Sequence, residues 1–363
     1  MKDVIVQVVQ HLRPGGIETM ALDLLNQLNP RAEVYIFSLE GTKKNALAHW
    51  PRLRSISSRL RFFNKAPDIR LKLISELKSA LLEVGATAVH THHIGPLLYG
   101  GAAAKLMGVK HIHTEHDAWH LNSRSNRNLQ NLLIRLIRPK LIADCEEVAG
   151  LLNQYYPYSQ PEVILNGIDI NRFTPPEQDQ RQTSRKKFNL PEDLFLIGCA
   201  ARLETVKGHK YLLKALKHCD EKTGLVLAGS GSLRRHLKRE ADHMGISDRV
   251  FFLGHVDNVV PFYHAIDLFC LPSLNEGLPL SPLEAQACGI PVVATDVGGC
   301  SSILCPQSSE LAKPGSTRSL IQGIQEIQQR GSVQDPRQFV LLKGSLEKTA
   351  DAYFNLLSCV KEA

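Results

Sequence analysis

Four groups of residues in this chain have types and spacings suited to chemistry. The stretch SLNEGLPLSPLEAQACGIPVVATDVGG carries Glu276 and Glu284 with seven residues between them. A carboxylate accepts two donated hydrogen bonds at once, so such a pair suits the hydroxyls of an elongated sugar or ribose ligand. Upstream, AARLETVKGHKYLLKAL brings Arg202 and Lys207 close together. Two fixed cations there could neutralise a diphosphate leaving group without a metal. Near the start, RPGGIE puts Gly15 and Gly16 where backbone N–H groups could approach an anion at a helix start. Finally, HTHH, HIHTEHD and His120 gather seven of the fifteen histidines (His90, His92, His93, His111, His113, His116 and His120) within about thirty residues, which raises metal binding, catalysis or packing as readings. Taken singly, each has an ordinary alternative: two glutamates on an amphipathic helix, surface charges on a solvated loop, glycines making a tight turn.

The elements that must position these residues alternate between strand and helix. Val- and Ile-rich runs such as DVIVQVVQ, AEVYIFSL, TAVHTH, KHIHTEH and KLIADC are separated by helical patterns, for example Met20, Leu24, Leu25 and Leu28. Strand alternating with helix predicts a parallel sheet covered on both faces. After FTPPEQDQRQTSRKKFNLPED (173–193), which has no apolar periodicity and reads as the interdomain linker, the pattern restarts with LFLIGCAARL, TGLVLAGSG, RVFFLGHV, DLFCLPS and PVVATDVGG. Arg202 and Lys207 then follow one strand. Glu276 falls in the loop after another, with Gly277 at the start of a helix beginning near Pro279 and Glu284 inside that helix. Sheets of this kind bind ligands at the carboxyl ends of their strands.

Length and composition agree. A chain of 363 residues exceeds the roughly 250–300 residues of a single core, so two domains are expected. The 43% hydrophobic and 22% charged content is that of a globular protein rather than a disordered or fibrous one. The eight cysteines, Cys359 among them, form no CxxC pair and read as small buried hydrophobes in a reducing compartment. No apolar run reaches eighteen residues and MKDVIVQVVQ is too short for a signal segment, so a soluble cytoplasmic protein is expected. The net charge of +7 is uneven. Residues 1–170 hold 20 Lys and Arg against 15 Asp and Glu, and eight of those cations lie from Arg52 to Lys78 beside only Asp68 and Glu76. That segment reads first as a helix with a solvated face and second as a surface for anionic lipid at the inner face of the membrane. Nucleic acid is not an expected partner, because no recognised module or aromatic–basic interleaving is present.

With these residues in order, the sequence resembles the retaining glycosyltransferases of the GT-B fold, family-4 type. GGIE, TEHD, NGID (Asn166 to Asp169), RLETVKG and NEGLPLSPLEAQACGIPVVATDVGG carry the likeness, and they span most of the chain. The resemblance implies an α/β architecture of two Rossmann-like parallel-sheet domains facing across a deep cleft. Residues 1–170 would be the acceptor-binding domain, 171–340 the nucleotide-sugar-binding domain, and 341–363 a C-terminal helix crossing back to the first. It implies that Arg202 and Lys207 bind the donor diphosphate, that Glu276 contacts the donor sugar and Glu284 the ribose, and that Gly15 and Gly16 close over the donor. His116 would lie beside the transferred sugar. The donor site is completed by Gly277 and Leu278 at the helix start and by His255 and Val256 near the base.

The expected reaction moves a sugar from a nucleotide-diphosphate donor, UDP-linked, to an acceptor hydroxyl with retention, in polysaccharide, lipid-linked oligosaccharide or glycolipid biosynthesis. The donor is a substrate, and no cofactor or metal is called for. Strand alternation sends His111 and His113 to one face and His116 to the loop beyond, while His90 and His92 share a face that His93 does not. That spacing does not supply four ligands around one tetrahedral point, so one functional histidine, His116, with the others packed, is favoured over zinc. Two other activities fit the residues less well: a sugar-nucleotide epimerase of related fold, and a noncatalytic sugar-nucleotide-binding protein.

Overall fold

Thirteen strands are found among the described residues, which are 2–117, 119–330 and 335–358 in a computed structural model, and all of them pair in parallel. The chain divides into two units, residues 1–166 with 346–363, and residues 167–345.

The first unit is built on β1 (Val4–Val9), β2 (Glu33–Ser38), β3 (Leu60–Phe62), β4 (Ala88–His92), β5 (Lys110–Glu115), β6 (Lys140–Ala143) and β7 (Glu162–Val163), in the order β3-β2-β1-β4-β5-β6-β7. Its inner strand β1 shows why the run VIVQVV is apolar at every position but Gln7, whose side chain donates to the Ala21 carbonyl. Ile5 and Val9 join one core with Met20, Leu24 and Leu25 of the helix Gly16–Leu28, while Val6 and Val8 join another with Leu73, Leu77 and Leu81 of the helix Lys72–Glu83. A parallel sheet covered on both faces demands this double-sided hydrophobicity. The C-terminal helix Leu346–Leu357 packs in the first of these cores through Tyr353, whose hydroxyl lies 3.0 Å from Thr114 Oγ1.

In the second unit β8 (Phe195–Ala200), β9 (Thr223–Ala228), β10 (Val250–Gly254), β11 (Leu268–Leu271), β12 (Val292–Thr295) and β13 (Ser309–Ala312) take the order β10-β9-β8-β11-β12-β13. Both sheets therefore reverse direction of winding once, between β1 and β4 and between β8 and β11. Crevices for ligands open at the carboxyl ends on either side of such a reversal.

One expectation is corrected. The segment 173–193 is not a linker but part of the second unit, where it forms the helix Gln180–Lys187. Its anchor is polar: Arg185, 2% exposed, donates to the carbonyls of Ala265, Pro191, Glu192 and Leu194 and to Asp267. Of the cysteines, Cys145, Cys199, Cys270, Cys288, Cys300 and Cys305 are buried free thiols and Cys219 is half-buried, while Cys359 lies outside the described residues. Among the described residues, no helix is long and apolar enough to cross a membrane.

Candidate functional site

At the reversal point of the second sheet, the loop after β8 meets the loop after β11. Arg202 stands exposed two residues beyond Ala200. The chain then makes a single 3₁₀ turn, Thr205–Lys207, and enters the helix His209–Leu216 through Gly208. Gly208 has φ +68°, and a Cβ there would lie 1.9 Å from the Pro272 carbonyl oxygen, so only glycine lets the two loops touch. The contact delivers Lys207 Nζ to 2.6 and 2.8 Å from the two oxygens of Glu276, and Ser273 Oγ donates to the same carboxylate at 2.6 Å. Glu276 is only 8% exposed, so its charge is held by these donors rather than by water.

The strand–turn that follows β12 clamps the glutamate loop from its other side. Gly298, φ +51°, packs so closely that an added Cβ would sit 2.3 Å from the Glu276 carbonyl oxygen, and Gly299 N donates to the Gly277 carbonyl at 2.7 Å. Thr295 Oγ1 donates to the Ser273 carbonyl at 2.5 Å. Gly277 and Leu278 are buried and lead into the helix Leu280–Ala287, in which Glu284 is half-buried. The buried Tyr263 hydroxyl donates to Glu284 Oε2 at 2.6 Å, and burial, with the adjacent carboxylate, holds that phenol well above its usual range. His255, exposed, and Val256 follow β10, with β9 between them and the Arg202 loop. Strand spacing of about 4.8 Å puts the ends of β10 and β8 roughly 10 Å apart.

In the first unit, Gly15 is the extended residue before the helix Gly16–Leu28. The Glu18 carboxylate folds back over it, so close that a Gly15 Cβ would lie 2.3 Å from Glu18 Oε2, and its other oxygen lies 3.1 Å from His11 Nδ1. Gly16 has open space around its Cα. The first turn of this helix thus carries a carboxylate of its own beside its partial positive charge.

The histidines divide by strand face. His111 and His113 both reach Thr91 Oγ1 at 2.9 Å, whereas His90 reaches Thr114 Oγ1 at 2.8 Å and lies tilted against the rings of His92 and Tyr353. His116, just past β5 and 5% exposed, lies with Nε2 2.9 Å from His92 Nδ1, and with Nδ1 3.4 Å from Asn166 Nδ2 and 3.7 Å from Asp144 Oδ2. Burial, reinforced by neighbouring histidines, drives His90 and His92 well below the ordinary imidazole range and His111 to about 3. His93 falls to about 4 for the same main reason. His120 goes the other way: burial disfavours its charge, but Asp117 and Glu115 outweigh that and hold it at about 9. Among the described residues, no three His, Cys, Asp or Glu side chains converge as a metal requires.

A pocket of about 370 Å³ opens at the carboxyl end of this sheet, lined by Gln10, His93, Gly95, Asp117, Trp119 and His120. Sequence reasoning did not single out Ser273, Tyr263, Gly298 or Asp144. Gly298 was signalled by the glycine pair of TDVGG, and Asn166 by NGID, but Tyr263 and Asp144 are distant in sequence from the groups they touch and carry no local signal.

Comparison with known proteins fits this geometry. Residues 14–172 match the family model "Glycosyltransferase Family 4" and residues 180–338 match "Glycosyl transferases group 1". The chain is 29% identical over 307 residues to EpsF of Bacillus subtilis, a protein itself named as a glycosyltransferase only provisionally, covering 80% of this chain and 79% of that one. It is 32% identical over 237 residues to a D-inositol 3-phosphate glycosyltransferase of Xylanimonas cellulosilytica, covering 60% of this chain and 57% of that protein's length. The crystal structure of Anabaena HepE in complex with UDP superposes with a TM-score of 0.85 at 20% identity, covering 99% of this chain and 100% of that one, which shows the shared fold. With two family models spanning nearly all of both units, this chain belongs to the GT-B-fold glycosyltransferases of the family-4 type.

Proposed function

We propose that this glycosyltransferase takes its sugar from a UDP-linked donor and passes it to an acceptor hydroxyl with retention of anomeric configuration, in polysaccharide, lipid-linked oligosaccharide or glycolipid biosynthesis. The observation that carries the reading is the Lys207–Glu276 pair at the reversal point of the second sheet, with Arg202 exposed on the same loop after β8. A cation and a hydroxyl-binding carboxylate side by side match the two halves of a sugar diphosphate. The UDP held by HepE supports the choice of nucleotide.

In this mechanism the bond between the anomeric carbon and the diphosphate oxygen breaks, and its electron pair passes to that oxygen. The developing charge on the phosphates is met by Arg202, Lys207 and the helix start that follows Gly208, which is the largest stabilising effect available to such a reaction. The acceptor oxygen bonds to the anomeric carbon on the same face, and its proton goes to the departing phosphate. Glu276 accepts hydrogen bonds from the donor sugar, Glu284 from the ribose, and the backbone of Gly277 and Leu278 approaches the phosphates. His255 and Val256 are assigned to the base, Gly15 and Gly16 to closure over the donor, and His116 to the transferred sugar. The first unit is assigned the acceptor. Because the two cations supply the charge a divalent ion would bring, turnover without metal is part of the reading.

The test is a donor screen: purified protein with UDP-, GDP- and ADP-sugars, with and without EDTA, read by thermal shift and release of nucleotide diphosphate. One UDP-sugar that stabilises the protein and is slowly hydrolysed in EDTA supports the reading. A strict requirement for a divalent ion, or no stabilisation by any donor, overturns it.

A further inference from the structure

The helix Arg124–Ile137 exposes a row of leucines that the fold does not use. Its inner face is filled by Gln130, Leu133, Ile134 and Ile137, all buried. Leu129, Leu132 and Leu136, spaced i, i+3 and i+7, form a second stripe at 37%, 53% and 63% exposure. Three large apolar side chains aligned along one exposed helix edge are unlike the scattered single hydrophobes of an ordinary surface. Arg124 and Arg135 lie on the adjoining solvent side of the helix, both exposed.

Along the chain on either side of the stripe the charge is all of one sign. From residue 118 to residue 143 there is no Asp or Glu, but Arg124, Arg127, Arg135, Arg138 and Lys140 are present. Lys140 pairs with Glu162, whereas among the described residues the four arginines form no ion pair with a carboxylate: Arg127 donates to the carbonyls of Leu121 and Asn122, and Arg135 to Asn131. The basic segment from Arg52 to Lys78, which the sequence alone offered as the lipid-facing candidate, is different. There Arg52 pairs with Asp23, Arg61 with Glu83 and Arg70 with Glu76, so much of its charge is neutralised internally.

We infer that the Leu129–Leu132–Leu136 edge of this helix, flanked by Arg124 and Arg135, docks the protein on an anionic lipid surface. A helix lying in the headgroup plane buries an apolar edge a few ångströms deep while its cations meet the lipid phosphates. Charge selects this occupant over a second copy of the chain, since two copies meeting through the stripe would bring like arginine charges together. The inference does not depend on the donor or the reaction proposed above.

The experiment is vesicle sedimentation of the full chain with phosphatidylcholine alone and with phosphatidylcholine containing phosphatidylglycerol. Binding to the anionic vesicles is expected to be at least tenfold stronger and to weaken with added salt, as exposed charges are screened beyond about 8 Å at physiological ionic strength. Leu132→Ser with Leu136→Ser, and separately Arg124→Gln with Arg135→Gln, should each weaken it at least tenfold, while Arg59→Gln with Arg61→Gln should bind as the unchanged protein does. All the leucines and arginines replaced on the helix are exposed, and unchanged circular dichroism and nucleotide diphosphate release would report a folded, active protein. Equal binding to both vesicle types, no binding to either, or unchanged binding in the leucine variant overturns the inference. So does a dimer in sedimentation equilibrium that the leucine substitutions dissolve.

Discussion

The Lys207 ammonium bridges both carboxylate oxygens of Glu276, at 2.6 and 2.8 Å, although sixty-nine positions separate the two residues. Lys207→Ala should therefore act twice. It removes a cation from the proposed diphosphate site, lowering turnover about 10²–10³-fold, the usual cost of losing one donor to developing charge. It also strands a buried carboxylate and lowers the melting temperature. Arg202→Ala, at an exposed position, should match the first effect without the second. Steady-state kinetics beside thermal melts separate them, and near-normal turnover in both variants would sink the diphosphate assignment.

Gly298→Ala is expected to damage the site from behind. The new Cβ would fall 2.3 Å from the Glu276 carbonyl oxygen and 2.6 Å from that of Gly277, at a φ of +51° that alanine disfavours. A loss of about 1–3 kcal/mol in stability is anticipated for strain of this kind, with weaker donor binding as Glu276 shifts. Gly150→Ala, in the interior of the helix Glu146–Tyr155 where nothing lies within 4 Å, serves as the comparison and should be more stable than the unchanged protein by about 0.5–1 kcal/mol. If both variants melt alike, the clamp has been misread.

Acid should destabilise the first unit sooner than carboxylate titration would. His90, His92, His93 and His111 are held neutral when folded, chiefly by burial, but bind protons near pH 6.5 once unfolded. Their contribution is present above about pH 6.5 and is lost as pH falls toward the depressed folded values, at up to about 1.4 kcal/mol per pH unit for each. His120 has the opposite sign. Its raised folded value of about 9 gives stability that is full below about pH 6.5 and fades as pH climbs through 9. Thermal melts from pH 4.5 to 10 should show both slopes. His120→Gln should flatten only the alkaline one, since the Asp117, Glu115 and Gln130 that surround it remain, and loss of the acid slope in that variant would contradict the assignment.

How much of this was written in the sequence depends on how local each signal is. The run VIVQVV declared a strand buried on both faces because each residue reports its own burial, and EGLPLSPLE declared a loop and helix because Gly277 and Pro279 punctuate it. The helix Gln180–Lys187 was illegible, since its anchor is one arginine rather than an apolar stripe, and Arg185 is indistinguishable in sequence from its exposed neighbours. Arg185→Met should make the point measurable. It removes the donor to four carbonyls and one partner of Asp267, which keeps Arg181 and the Leu196 N–H, so a loss at the lower end of the about 3–5 kcal/mol for breaking a buried pair is expected, readable in urea denaturation. A loss below about 1 kcal/mol, the range of exposed ion pairs, would mean that the buried network does not anchor this segment.

Tyr263 tests the assignment of Glu284 without touching the proposed ligand. Its hydroxyl donates to Glu284 Oε2 at 2.6 Å from within the core, where it packs against Phe262, Phe269 and Phe173. Tyr263→Phe keeps that packing and removes only the bond, so stability should fall by about 1.5–3 kcal/mol, the range for one hydrogen bond to a charged group. If Glu284 holds the ribose, its grip is the same before and during bond breaking. Loosening it then raises KM for the donor several-fold and leaves kcat nearly unchanged, the signature of lost uniform binding. A fall in kcat at constant KM would instead tie Glu284 to the reacting sugar, and would exchange the roles proposed for the two glutamates.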